Sequence, residues 1–310
     1  MPVLAPAPAV STSTARDEAR GMLLGLAGVA MFSLTMPFTR MAVVELDVQF
    51  VVLARALGAA ALAGLWLSWR RAPLPSRGAL LPLALVTLGA VIGFPLLSSM
   101  AMRDVPASHG AVLAGLLPLA TALYTALRGD ERPSPAFWLM AVLGAALVVA
   151  FALSQGGGAL HGADFMMFGA VVAGAVGYAE GGKLARTLGG PETICWALLL
   201  GAPVLAPLLL AWCLGHRLDV LLEVGAPAWL GLGYVTVISM VVGFFFWYRG
   251  LALGGIARVG QVQLLQPFLS LVGAAVLLGE ALTMHKVSFA LAVIGVVFAG
   301  RRLQVRRRPG

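Results

Sequence analysis

Apolar runs of about 20 residues, separated by short punctuated connections, recur along nearly the whole chain. Nothing else in it constrains the fold so strongly, because a helix needs roughly 20 apolar residues to cross a ~30 Å hydrocarbon core. Ten segments fit that description: Gly21–Arg40, Val48–Trp69, Ala79–Met102, Ala107–Leu127, Pro135–Leu153, Ala163–Arg186, Glu192–Leu214, Ala228–Arg249, Arg258–Leu278 and Met284–Gly300. Only 11% of the residues are charged, where an average soluble domain carries about 25%. A soluble enzyme does not fit that balance; the expected fold class is an all-α polytopic membrane protein with ten transmembrane helices. The connections carry Pro73 and Pro75, Gly129-Asp130, Gly156-Gly157-Gly158, Gly189-Gly190-Pro191 and Gly254-Gly255, the residue types that mark turns. None is long enough to house a separate soluble domain.

The net charge of +8 does not describe a nucleic-acid-binding face, since the basic residues sit in short clusters between apolar runs. With the N-terminus inside, sixteen Lys and Arg fall at cytoplasmic span ends and four at outer ends, leaving Arg55 within a span. Basic residues favour the cytoplasmic side, so both termini are expected there. Cys195 and Cys213 share one apolar run, about 27 Å apart along a helix and beyond disulfide reach.

The two halves repeat. A shift of 149 residues lays Pro118 on Pro267 and Glu131 on Glu280, and with two inserted residues Ala141-Val142-Leu143-Gly144 falls on Ala292-Val293-Ile294-Gly295. Five spans per unit is odd, so the second copy must enter the membrane upside down, the architecture of many secondary transporters with a midplane site. The expected division is a disordered cytoplasmic tail (1–19), a first five-helix unit (20–154), its inverted copy (155–302) and a basic cytoplasmic tail (303–310).

Punctuation closes the fourth and ninth spans, as Arg128-Gly129-Asp130-Glu131-Arg132 and Leu278-Gly279-Glu280-Ala281-Leu282, and the ninth span runs through Gln263-Leu264-Leu265-Gln266-Pro267. With Leu53-Ala54-Arg55-Ala56-Leu57 early in the second span, this pattern resembles the EamA family of the drug/metabolite transporter superfamily over residues 20–302. In the first copy Asp130 stands between the glycine and the glutamate of the motif. The resemblance implies two inverted five-helix repeats in a bacterial inner membrane, similar in layout to YddG-type exporters of aromatic and other neutral amino acids. It also implies a central cavity lined by the first, third, fourth, sixth, eighth and ninth spans, with the fifth and tenth at the periphery.

Buried charge in a bilayer is costly and needs a reason. Glu180 is the one acid well inside a span; it reads either as a cavity carboxylate or as a structural partner of Lys183 one turn on. Arg55 could bind a substrate carboxylate, but pairing with Glu45 or Asp47 is the favoured reading. Gln263, Gln266 and Ser270 form one helical stripe, suited to cavity lining or to interhelical hydrogen bonds. Ser33 and Met36 share a face of the first span, and Phe94 and Ser98 a face of the third. Pro37, Pro95, Pro118 and Pro267 each interrupt a backbone ladder and are candidate kinks. Trp247 and Tyr248 are expected in the interfacial aromatic belt, whereas Tyr178 and Tyr234 lie deeper and are cavity candidates. All four histidines fall at outer ends; His109 is either a pathway residue or a solvated loop residue. The pairs Gly21/Gly25, Gly89/Gly93 and Gly177/Gly181 permit close helix contact.

Phosphate-loop, H-E-x-x-H, C-x-x-C and G-x-S-x-G patterns are all missing from the sequence, so neither cofactor nor metal is expected. The expected partners are a small-molecule substrate and the lipid bilayer, with no nucleic acid; a monomer suffices, and the oligomeric state stays open. The reading is a secondary transporter exporting amino acids or related metabolites by alternating access. Another small solute (drug, purine or sugar derivative) is the alternative, and an intramembrane enzyme a more distant one.

Overall fold

Proline and glycine set the shape of this bundle by deciding where each long apolar helix bends. The computed structural model describes residues 12–128, 135–155, 157–254 and 259–302. Eight helices are long and apolar enough to cross a membrane: α1 Arg16–Glu45, α2 Val48–Arg70, α3 Arg77–Asp104, α4 Ala107–Leu127, α5 Trp138–Gln155, α6 Gly162–Leu184, α7 Gly190–Gly215 and α8 Ala226–Gly254. Two shorter apolar helices follow, α9 Val262–Leu278 and α10 Met284–Val296. No strand occurs among the described residues. Helix begins at Thr12, within the stretch expected to be a disordered tail. The connections expected at Gly129-Asp130 and Gly156, and Gly255 of the Gly254-Gly255 pair, lie outside the described residues, as do both extreme termini.

In α1 the helix breaks at Leu34. Pro37 has no N–H to give the Ser33 carbonyl one turn back, and Ser270 on α9 donates to that carbonyl instead, at 2.7 Å. Asp47 starts α2 by accepting from the Gln49 and Phe50 amides at 2.9 and 3.0 Å, which satisfies two otherwise orphaned donors. α3 opens into a wide π-helical turn over Thr87–Gly93 just before Pro95, and α4 breaks at Gly115-Leu116 just before Pro118. The second half answers these irregularities. α8 carries a π-helical turn over Tyr234–Val242, and α9 tightens into a 3-10 turn over Gly260–Leu265 before Pro267. The 149-residue shift that superposes the two prolines carries residues 87–93 onto 236–242, inside the second π-helical turn. Two inverted five-helix repeats thus bend at equivalent places.

Small residues let helices of opposite repeats touch backbone to backbone. A Cβ on Gly21 of α1 would sit 2.4 Å from the Gly254 amide of α8, and one on Gly89 of α3 would sit 2.4 Å from the Ala173 carbonyl of α6. The α1–α8 and α3–α6 crossings are counterparts under the repeat. α5 and α10 pack on each other at the edge of the bundle. Large apolar side chains such as Leu65 (70% exposed), Val276 (77%) and Leu214 (81%) point outward, as a lipid-facing surface requires and a water-facing one does not tolerate in bulk. The interior packs as two clusters at opposite ends of the helices. One gathers Phe38, Val43, Val51, Met102 and Leu113; the other gathers Val29, Ala63, Val86, Leu198 and Tyr248 at the end that carries the termini.

Candidate functional site

Between those two clusters lies a cavity walled by both repeats. α1 supplies Phe32, Thr35 and Met36, α2 supplies Arg55, and α3 supplies Ala90, Phe94 and Pro95. From the second repeat come Gly174 and Tyr178 of α6, Ser239, Met240 and Phe244 of α8, and Gln266 of α9. The bends described above place most of these positions, because the breaks at Leu34 and before Pro95, the π-helical turn of α8 and the Pro267 bend all fall beside the cavity. A bend also frees carbonyls and re-aims side chains without exposing backbone to lipid.

The wall is largely apolar and aromatic. Phe32 packs 4.9 Å from Phe244 and 6.0 Å from Tyr178, ring centre to ring centre. Behind them Trp247 stands 5.6 Å from Tyr178. The polar side begins with Thr35 and Ser239, whose hydroxyls bond at 2.7 Å across the two repeats. Arg55 meets α8 one turn away, where its Nη2 donates to the Val235 carbonyl at a long 3.5 Å. Arg55 is only 2% exposed, and its Nε and Nη1 have no hydrogen-bond partner among the described residues; nor does Oε1 of Gln266. Among the described residues, no carboxylate lines the cavity.

Of the residues expected from the sequence, Met36, Phe94, Tyr178 and Gln266 meet in this cavity, with Pro95 as a lining kink. Ser33, Ser98 and Gln263 are buried nearby but do not line it. Tyr234 stacks on Phe38 at 4.0 Å and donates to the Met31 carbonyl. Glu180 is not in the cavity: at the far end of α6 it accepts from the Tyr124 hydroxyl at 2.9 Å and faces Arg128 of α4 at 3.5 Å. His109 is buried rather than solvated, its Nε2 lying 2.6 Å from Asp164 of α6. Asp164 also accepts from the His161 amide and so caps α6. Beside this pair, Glu280 accepts from the Ala107 and Ser108 amides and caps α4.

Three expectations are overturned. Arg55 pairs with neither Glu45 nor Asp47, because Glu45 accepts from the Gly225 amide and Asp47 caps α2 while accepting from the Trp212 indole. Trp247 and Tyr248 are not belt residues: they are 1% and 0% exposed, and the Tyr248 hydroxyl donates to the Gly177 carbonyl at 3.0 Å. The glycine face of α1 packs closely on that end of α8, where a Cβ on Gly28 would sit 3.1 Å from the Trp247 backbone nitrogen. Finally, α2 contributes Arg55 to the cavity, and α4, which the resemblance places in the lining, contributes nothing. Among the described residues no cluster of three metal-ligating side chains occurs.

Comparison with known proteins agrees with this architecture. A solved structure described only as "Crystal structure of protein" superposes with a TM-score of 0.63 over 93% of this chain and 100% of that one, at 20% identity, which speaks for the fold alone. "Uncharacterized transporter YdeK" of Bacillus subtilis (strain 168) is 46% identical over 282 residues, covering 91% of this chain and 97% of that protein. "Probable terminal-alkyne amino-acid exporter" of Streptantibioticus cattleyicolor is 30% identical over 213 residues, covering 66% and 67%. Residues 19–153 and 161–301 each match the EamA-like transporter family. With one copy of the family's five-helix unit in each half, the chain belongs to the EamA-like transporter family.

Proposed function

We propose that this protein is a secondary transporter of the bacterial inner membrane that exports amino acids with neutral, apolar or aromatic side chains, or closely related metabolites. The observation that carries the reading is the cavity itself: mid-bundle, at the junction of inverted repeats, with an apolar aromatic wall and a short polar edge. Such a site suits a small solute with one polar head and one apolar body. A relative named as an amino-acid exporter supports the same class. One chain supplies the entire lining, so a monomer is a sufficient unit.

The two packed clusters flanking the cavity support alternating access. Loosening the cluster near the termini opens the site to the cytoplasm, and loosening the opposite one opens it outward. The paired bends in α3 and α8, and in α4 and α9, are the hinges. Both termini face the cytoplasm in this reading, with residues 20–154 and 155–302 as the two repeats. The test is counterflow of a panel of labelled amino acids into proteoliposomes, with and without a pH gradient. Saturable counterflow of neutral amino acids is the expected result. Flux that neither saturates nor shows counterflow contradicts a carrier.

A further inference from the structure

We infer that Arg55 is the carboxylate anchor of the cavity, so that recognition requires a substrate with a free carboxylate. This assignment rests on the reading of the protein as an amino-acid exporter and sharpens it to one chemical requirement.

Arg55 carries a charge with no counter-ion among the described residues of the cavity. A guanidinium stays protonated in proteins and offers five N–H donors. Arg55 is 2% exposed, makes one long bond to the Val235 carbonyl, and leaves Nε and Nη1 without partners. An unpaired charge held at this depth in a membrane protein is costly and marks an ion or substrate path. The acids that the sequence offers inside or beside the spans are engaged elsewhere: Glu45 with the Gly225 amide, Asp47 with Trp212 and the start of α2, Glu180 with Tyr124 and Arg128. Arg55 instead faces a cavity in which the described residues place no acid.

The planar fork of a guanidinium matches a carboxylate with two parallel hydrogen bonds. In the same cavity, Gln266 presents a buried Oε1 with no partner, an acceptor for the N–H of an ammonium group. Phe32, Met36, Phe94, Tyr178 and Phe244 form the apolar remainder, where a charged side chain would find no counter-ion. The three features together read an α-amino acid: acid on Arg55, amine towards Gln266, uncharged side chain on the rings. An organic cation lacking a carboxylate meets a like charge at Arg55 and is rejected.

The experiment measures calorimetric binding to the purified full-length protein in detergent, alongside counterflow in proteoliposomes. The probes are leucine, phenylalanine and methionine, each with its carboxamide, in which the acid is blocked and the amine kept. The wild type is expected to bind the acids and to lose at least about 30-fold in affinity for the amides, the scale for removing one partner of a buried charge pair. Arg55→Gln is expected to lose a similar factor for the acids, and Arg55→Lys to recover part of it, since lysine keeps the charge without the fork. Equal binding of acid and amide by the wild type overturns the anchor, whatever the variants do and whether or not they fold. Arg55→Gln that folds and binds the acids as the wild type does overturns it as well. In either case counterflow of amino acids still upholds the export reading. A wild type that shows neither binding nor counterflow of any amino acid overturns both.

Discussion

Gly89 shows how little room a single methyl group has in this bundle. A Cβ there would lie 2.4 Å from the Ala173 carbonyl and 2.7 Å from the Gly177 amide, both backbone atoms that cannot rotate away. Gly89→Val is therefore expected to destabilise the protein by about 1–3 kcal/mol, the usual range for an overpacked contact, and thermal melting in detergent checks it. An unchanged melting temperature would mean that α3 and α6 are not packed through this glycine. Two cavity residues are expected to act on transport. Gln266→Ala and Tyr178→Ala should weaken export while leaving membrane insertion normal, because each removes a group facing the cavity; only Tyr178→Ala should also lower the melting temperature, since it takes a ring from the packing of Phe32, Phe244 and Trp247. Unchanged transport kinetics in both variants would remove them from the site. Arg55 was partly legible in the sequence: its depth in a span marks it, but a favoured partner in Asp47 hid its role. Asp47 stands immediately before the apolar run of α2, where an aspartate serves as the helix cap, and that signal argues against a distant ion pair. The fate of Trp247 and Tyr248 was not legible, since aromatic residues near a span end look the same whether lipid or a glycine-faced helix covers them.

At the scale of helices, α4 and α6 are fastened together at both ends. His109 meets Asp164 at one end, while Tyr124 and Arg128 meet Glu180 at the other. These contacts tie the two repeats together at both ends of α4, leaving the break at Gly115-Leu116 between them as the place where α4 can bend. Asp164→Asn combined with Glu180→Gln removes both charged fasteners. Each broken buried bond should cost roughly 1–3 kcal/mol, and a double-mutant cycle should show the two losses nearly additive, as for well-separated sites. Strong non-additivity would mean that the two ends do not act as independent fasteners. The four prolines were legible as kink candidates because their missing N–H breaks a ladder wherever it falls. The π-helical turn in α8 was not, because residues 234–242 include no proline or glycine; the inverted repeat alone points to it. Glu180 was legible as a buried acid, yet its partners come from α4, fifty-odd residues earlier, and no local spacing reveals them.

The molecule as a whole is two like halves set head to tail around one cavity. That much could be read from the sequence, because apolar run length, odd span number and a half-length repeat are all one-dimensional signals. Which helices face the cavity could not, because helices that are apolar all round give no amphipathic direction; α2 entered the lining and α4 left it. In the proposed transport cycle both membrane faces reach the same cavity in turn. Ser239 lies in its wall, so a Ser239→Cys variant in a Cys195→Ala, Cys213→Ala background tests it most directly. In sealed vesicles of defined orientation, an impermeant thiol reagent should label that cysteine from either side, and saturating leucine should slow labelling from both. Labelling from one side alone, or labelling that no amino acid slows, would contradict alternating access through this cavity.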